Sequence, residues 1–232
     1  MKPKDLKFPF SWEARQVLLK DRVLYVPEYY DNYDQFTFPG WEAPSLFGNS
    51  KSVVIEYCSG NGAWIVEKAK SNPQNNWVAV EKRFDRVRKI WSKIKNEHLD
   101  NLVVFCGEGF RMTQEYFPSG AVDRIYINFP DPWPKKRHAK HRIVQRPFVE
   151  QISRILKPQG VLTLVTDDAV YSEQMIEVLN MQEGMCSAHP EPYYVNELEG
   201  YGTSFFDALW RDKGRVIRYH QYRKQELMHA VD

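Results

Sequence analysis

The stretch KSVVIEYCSGNGAWIVEKAK, residues 51–70, is the one on which the fold turns. Val53 to Glu56 is a short run rich in β-branched apolar residues, the composition of a strand buried on both faces. It enters a turn at Ser59-Gly60-Asn61-Gly62. Ala63 to Lys70 then carries Trp64, Ile65 and Ala69 at helical spacing until Pro73 stops the helix. A strand, a glycine turn and a helix in that order open an α/β architecture, in which parallel strands alternate with the helices that cover them.

Working outward, the alternation continues. Trp77 to Val80 predicts a second strand ending at Glu81, Phe84 to Ile94 a helix, Leu102 to Phe105 a third strand ending near Glu108, and Asp123 to Phe129 a fourth. A proline-rich basic segment runs from Pro130 to Arg142. Next comes a helix with Phe148, Ile152, Ile155 and Leu156 on one face, ahead of a turn at Pro158-Gln159-Gly160. Val161 to Val165 is a fifth strand, Thr166-Asp167-Asp168 opens a helix through Leu179, and Arg215 to Tyr222 alternates as a late strand expected at an edge. The expectation is a mostly parallel twisted sheet with helices on both faces, spanning residues 51–232. Residues 1–50, crowded with aromatics and prolines from Phe8 to Phe47, show no clean period and are expected to be an extension. It either lays aromatic rings over the main core or forms a wall of a substrate cleft.

Composition sets the bounds. The 232 residues are 43% hydrophobic and 27% charged with a mean hydropathy of -0.57, and no apolar run approaches twenty residues. That excludes a membrane helix, a disordered chain and a collagen-like repeat. The opening MKPKDLKFPF has no apolar core followed by a small-residue cleavage site, so it does not read as a secretory signal, and the expected compartment is the cytoplasm. Cys58, Cys106 and Cys186 are odd in number and lack C-x-x-C spacing, which gives neither a disulfide framework nor a zinc site. With a net charge of only +2, any nucleic-acid partner must be met by a local basic patch.

In open α/β sheets, ligands lie beyond the carboxyl ends of the strands. Glu56, Glu81, Glu108, Asp131 and Asp167 all fall at or just after such ends. Any one of them reads equally as a loop residue or helix cap; five in register point to a ligand. A dinucleotide fingerprint needs a third glycine, but Gly60-x-Gly62 is followed by Ile65 at that position, which weakens a nicotinamide reading. A carboxylate at Glu56, just before the turn, repels a pyrophosphate and suits a ligand bearing an ammonium and a sulfonium, as S-adenosyl-L-methionine does. Glu81 stands where such folds place an acid for the ribose hydroxyls.

The most specific segment is Asn128-Phe129-Pro130-Asp131-Pro132-Trp133-Pro134-Lys135-Lys136-Arg137-His138-Ala139-Lys140-His141-Arg142. Three prolines restrict the backbone around Asp131 and Trp133, and the cations that follow suit phosphates while Trp133 offers a ring to an unstacked base or to packing. His138 and His141 have the spacing of a metal pair, but no acid or cysteine completes a set, so no metal is expected.

Glu56-Tyr57-Cys58-Ser59-Gly60-Asn61-Gly62, Val80-Glu81, Asn128 through His138 and Thr166-Asp167 together resemble the bacterial tRNA (guanine-N7)-methyltransferase family, over roughly Val53 to Tyr219. The resemblance implies a Rossmann-like S-adenosylmethionine-dependent methyltransferase fold. It implies methyl transfer to N7 of a guanine in the variable loop of tRNA (position 46), by a monomer or homodimer with no obligate protein partner and no membrane. Carried over by position, Glu56, Gly60, Gly62, Glu81, Glu108 and Asp131 surround the methyl donor, with Asp131 also at the reacting centre. Lys135, Asp167, Ser204 and Asp207 contact the substrate, and Arg137, His138, Lys140, His141 and Arg142 contact RNA. Ser204-Phe205-Phe206-Asp207 matches a Thr-x-aromatic-Glu signature conservatively; read bare, it is also a helix start with Ser204 as cap and Asp207 reaching back. Cys58 departs from the family's first glycine of the turn and Glu108 from its aspartate, while residues 1–50 follow no pattern that carries over.

Overall fold

The alternation read from residue 51 onward is present in the computed structural model, which describes residues 1–226. The chain forms two units, Met1–Pro118 and Ser119–Asp232. In the first lie β1 (Leu18–Lys20), β2 (Val23–Tyr25), β3 (Ser52–Tyr57), α1 (Ala63–Ser71), β4 (Asn75–Glu81), α2 (Phe84–Asn96), β5 (Leu102–Cys106) and α3 (Gly109–Tyr116). Strands β3, β4 and β5 pair side by side and parallel, with Ile55 opposite Val78 and Val78 opposite Val103. Their residues from Val53 onward are almost all buried, which is why they read as continuous apolar runs and not as alternating ones. Val87, Ile90, Trp91 and Ile94 form the buried stripe of α2, which packs on β4, β5 and α1. At the start of α1, Gly62 has φ +70°, and a Cβ there would lie 2.6 Å from Ile90 Cγ1. The turn therefore needs glycine both for its backbone and for the approach of α2.

Residues 1–50 differ from the expected extension. β1 and β2 form a hairpin, and β2 continues the sheet by pairing parallel with β5, Val23 opposite Val104. Val23, Leu24 and Tyr25 are buried. The compact units meet near residue 118, and a strand from the N-terminal segment is part of the first unit's sheet. Covering aromatics are present too, with Trp41 stacked on Phe105 at 6.0 Å and Phe38 edge-on to Trp41.

The second unit holds β6 (Val122–Asn128), α4 (Arg146–Ile155), β7 (Leu156–Thr166), α5 (Ala169–Asn180), β8 (Met185–Ser187), α6 (Phe205–Asp212) and β9 (Arg218–Lys224). β6 and β7 are parallel, β9 is antiparallel to β7, and β8 is antiparallel to β9. Two expectations change here. Pro158-Gln159-Gly160 does not separate helix from strand: β7 begins directly after α4 and runs through those residues, its irregularity absorbed by a register shift against β6 and by φ +65° at Gln159. Nor is β9 an edge strand, since β8 lies outside it. Among the described residues no helix is long and apolar enough to cross a membrane.

Candidate active site

Glu56 is the penultimate residue of β3 and Glu81 the last of β4, so the parallel pairing sets both at the same end of the sheet, each buried. The Glu81 carboxylate, 5% exposed, accepts from Gly60 N at 2.8 Å through Oε2 and from Arg83 N at 2.8 Å through Oε1; Arg86 Nη1 stands 3.7 Å away. Burial outweighs these partners and pushes its carboxyl above the ordinary value. The bond to Gly60 ties the acid to the glycine turn, so turn and carboxylate form one piece. Within that turn Cys58 has φ +61°, in the left-handed region that favours glycine, which explains structurally why a glycine is the family's usual choice there.

Glu108 caps α3, accepting from Phe110 N at 3.0 Å and Arg111 N at 2.7 Å. It also lines a polar cleft of about 260 Å³ with Lys82, Arg111 and Tyr33. The sequence reading placed no helix at Gly109–Tyr116, so this capping role was missed; an acid immediately before Gly109 was the available signal.

In the second unit, β6 delivers Asn128 and the chain turns at Phe129, φ +46°, and again at Trp133, φ +43°. Asp131 lies exposed between these two left-handed residues. Lys135, Lys136, Arg137, Lys140 and His141 are exposed on or beside a 3₁₀ turn, Lys136–His141. His138 and His141 pack their rings against Trp133, at 5.9 and 5.2 Å, and among the described residues no cluster of three or more His, Cys, Asp or Glu is placed to hold a metal ion.

Arg142 differs from the exposed cations before it. It is 6% exposed, donates from Nε to the Pro132 carbonyl at 2.7 Å and from Nη1 to Gln174 at 2.5 Å, and lies over the Tyr171 ring at 4.8 Å. Its guanidinium holds the Asp131 segment through the Pro132 carbonyl.

Ser204 and Asp207 are buried as well. Ser204 caps α6, accepting from Asp207 N at 3.0 Å, as the bare reading had it. Asp207 does not reach back to the cap; at 3% exposure it accepts from Arg211 Nε at 2.6 Å and from the Tyr219 hydroxyl. Tyr219 stands edge-on to Tyr201, 5.0 Å between centroids, and the Tyr201 hydroxyl donates to Asn128 Oδ1 at 3.0 Å. Asp207 is thereby linked to the Asp131 segment through Tyr219, Tyr201 and Asn128. Sequence reasoning missed these partners, although Arg211 at i+4 from Asp207 was a readable pair. Asp167, one residue past β7, pairs with Arg215, while Asp168 takes the cap of α5 by accepting from Tyr171 N at 2.7 Å.

The profile of a family described as "Putative methyltransferase" matches residues 50–218. A protein named tRNA (guanine-N(7)-)-methyltransferase from Chlamydia felis is 49% identical over 225 residues, covering 97% of this chain and 98% of that protein. One of the same name from Chlamydia pneumoniae is 44% identical over 97% and 99%. The chain belongs to the tRNA (guanine-N7)-methyltransferase family. It is therefore an enzyme of methyl transfer, and because the similarity takes in 225 residues, most of the aromatic N-terminal segment is shared with these relatives. Among solved structures, 16S rRNA methyltransferase KamB aligns with a TM-score of 0.58 at 16% identity, over 82% of this chain and 95% of that one. A SAM-dependent methyltransferase from Aquifex aeolicus aligns at 0.53 and 15%, over 76% and 85%. The family's fold is accordingly the Rossmann-like α/β one.

Proposed function

We propose that this enzyme transfers the methyl group of S-adenosyl-L-methionine to N7 of a guanine in the variable loop of tRNA, working in the cytoplasm. The observation that carries the reading is the Asp131 segment. Its backbone is fixed by two left-handed residues and by Arg142 behind Pro132, while Asp131 and a run of cations remain exposed.

The residues fit the donor. Glu81 and Glu108 each use two backbone N–H bonds, yet a carboxylate offers about four acceptor sites, so both keep capacity for ribose hydroxyls and an adenine amino group. Glu56 supplies negative charge toward an ammonium and a sulfonium, and the turn at Gly60 and Gly62 admits the ligand's backbone-close passage. When bound, the donor supplies an electrophilic methyl group on sulfur.

Guanine N7 has an in-plane lone pair and no proton to lose, so the chain needs no general base. Its task is to hold the nucleophile about 3 Å from the methyl carbon, a positioning effect of roughly 7 to 11 kcal/mol in favourable cases. Positive charge moves onto the purine as the bond forms. Asp131, a fixed carboxylate, favours that charge over the neutral base and so stabilises the transition state more than the ground state. Lys135 and Asp167 orient the guanosine, and Lys136, Arg137 and Lys140 take phosphates.

Incubating the protein with radiolabelled S-adenosyl-L-methionine and unmethylated tRNA, then analysing nucleosides, tests the reading. Label is expected in 7-methylguanosine, and label in any other nucleoside overturns the target atom. Asp131→Asn is expected to lower kcat by about 100-fold or more with donor and tRNA affinities kept, by analogy with loss of one preorganised electrostatic partner. Unchanged turnover would remove Asp131 from the chemistry.

A further inference from the structure

Asp167 leaves β7 beside the Asp131 segment. Asn128 is opposite Val165, and Phe129 N donates to the Val165 carbonyl at 2.9 Å, so both acids follow the same end of a parallel pair. Their surroundings differ. Asp131 is exposed, whereas the Asp167 side chain is only 11% exposed and its Oδ2 accepts from Arg215 Nη1. A carboxylate this far out of water is kept in place by a paired cation, and among the described residues Arg215 is the cation paired with Asp167.

Arg215 is itself set by the way α6 stops. Gly214, at φ +70°, donates to the Arg211 carbonyl at 2.9 Å, and Arg215 N donates to the Trp210 carbonyl at 2.9 Å. A helix that ends on a left-handed glycine with these two bonds turns the residue after the glycine back onto the residue that opens the last turn. An apolar pair is common at that contact. Here the contact is a cation on a ring, with the Arg215 guanidinium 4.1 Å from the Trp210 ring centroid. The helix stop therefore fixes the backbone of Arg215, Trp210 fixes its guanidinium plane, and Nη1 reaches Asp167.

We propose that Arg215 is a positioning residue that acts through Asp167 on the base to be methylated: from its seat on Trp210 it takes one of the acceptor sites of Asp167 and sets the orientation in which the carboxylate meets that base. The proposal rests on the reading that Asp167 contacts the guanosine. A carboxylate offers about four acceptor sites, so one bond to Arg215 leaves capacity for the N1–H and 2-amino donors of guanine. Adenine has an acceptor at N1 and no amino group at C2, so an acid held on that edge favours guanine, as a site built to bond a donor rejects a base that lacks it. Half of the Arg215 side chain is exposed, and the rival role for such a cation is a direct phosphate contact.

A double-mutant cycle separates the two roles. Arg215→Ala, Asp167→Ala, the pair together and the wild type are compared in steady-state methyl transfer to unmethylated tRNA, in salt-dependent tRNA binding, in donor titration and in thermal melting. Arg215→Ala is expected to lower kcat/KM roughly 10- to 100-fold, the cost of a misplaced reactant, with the salt slope and the donor Kd unchanged. In the Asp167→Ala background the same change is expected to alter kcat/KM by about 2-fold or less, because the group it positions is gone. Arg215→Lys, which keeps the charge without the planar fork, is expected to recover part of the loss. Losses that multiply across the cycle, or a salt slope flattened by about one unit in Arg215→Ala, make Arg215 a separate phosphate contact and overturn the proposal. Wild-type kcat/KM in Arg215→Ala overturns it too. If Arg215→Ala melts early, the cycle is run with Arg215→Lys in both backgrounds and judged by the same criterion. Asp167→Ala with wild-type kinetics removes Asp167 from the base and overturns the proposal with that reading. A coupled cycle in an enzyme that labels another nucleoside upholds the proposal and overturns only the target atom.

Discussion

Glu81 shows how much one side chain carries. One of its backbone bonds holds the glycine turn and the other the chain entering α2, and burial raises its pKa, so it binds a proton more tightly folded than unfolded. The sign follows: its ionisation costs stability, a cost absent below the unfolded pKa and mounting as pH rises through the folded one. Glu81→Gln is expected to weaken donor binding roughly 10- to 150-fold, from lost charge-assisted hydrogen bonds of about 1.5 to 3 kcal/mol, while its amide nitrogen, set against one of the two backbone N–H groups, offsets the relief of the ionisation cost in the melting temperature. Separate donor and tRNA titrations beside thermal melts check this; donor affinity equal to wild type would relieve Glu81 of the role. Glu81 was legible because an acid at a strand end is a feature of the linear chain. Arg142 was not, since in sequence it is one more cation in a basic run, and only the packing of Tyr171 and Gln174 around it makes it a strut. The same holds for Asp207, whose partners Tyr219 and Arg211 lie on β9 and α6.

At the scale of elements, the strut and the strand behind it behave differently from the surface. Arg142→Ala is expected to lower kcat about 10-fold or more while leaving the salt slope of tRNA binding unchanged, because it frees the Pro132 carbonyl without removing a phosphate contact. Steady-state kinetics with salt-dependent binding separate the two effects. His220 on β9 is buried, bonded to Ser172 on α5 and to the Tyr193 carbonyl, and desolvation, helped by the nearby Arg218 and His189 charges, lowers its pKa to about 4. The unfolded chain then binds the extra proton between about 4 and 6.5, so stability is full above 6.5 and falls as pH drops toward 4, by up to about 3 kcal/mol. Melting curves from pH 4.5 to 7.5 should show this slope in the wild type and a flatter one in His220→Gln. The long βα units were readable because each carries a run of buried residues. The short elements were not: β1, β2 and β8 have three residues each, and the loop joining β1 to β2 is Asp21-Arg22, both at positive φ, where the readable signal is Asn-Gly. α3 escaped because its cap is a glutamate in place of the commoner serine or aspartate.

For the whole molecule, a net charge of +2 gives no general attraction for RNA, so in the proposed function the exposed cations from Lys135 to Lys140 act locally. Arg137→Ala is expected to flatten the plot of log binding constant against log salt by about one unit and to leave donor affinity alone. Filter binding from 50 to 200 mM salt reads both, and an unchanged slope would move the RNA footprint elsewhere. The pairing of β2 with β5 has one more consequence, and it concerns time. Val23 finds Val104 about eighty residues later in the chain. At a synthesis rate of about 5–20 residues per second, a strand of three buried residues therefore leaves the ribosome about 4 to 16 s before its partner exists, with only the β1 hairpin to shield it in the interval.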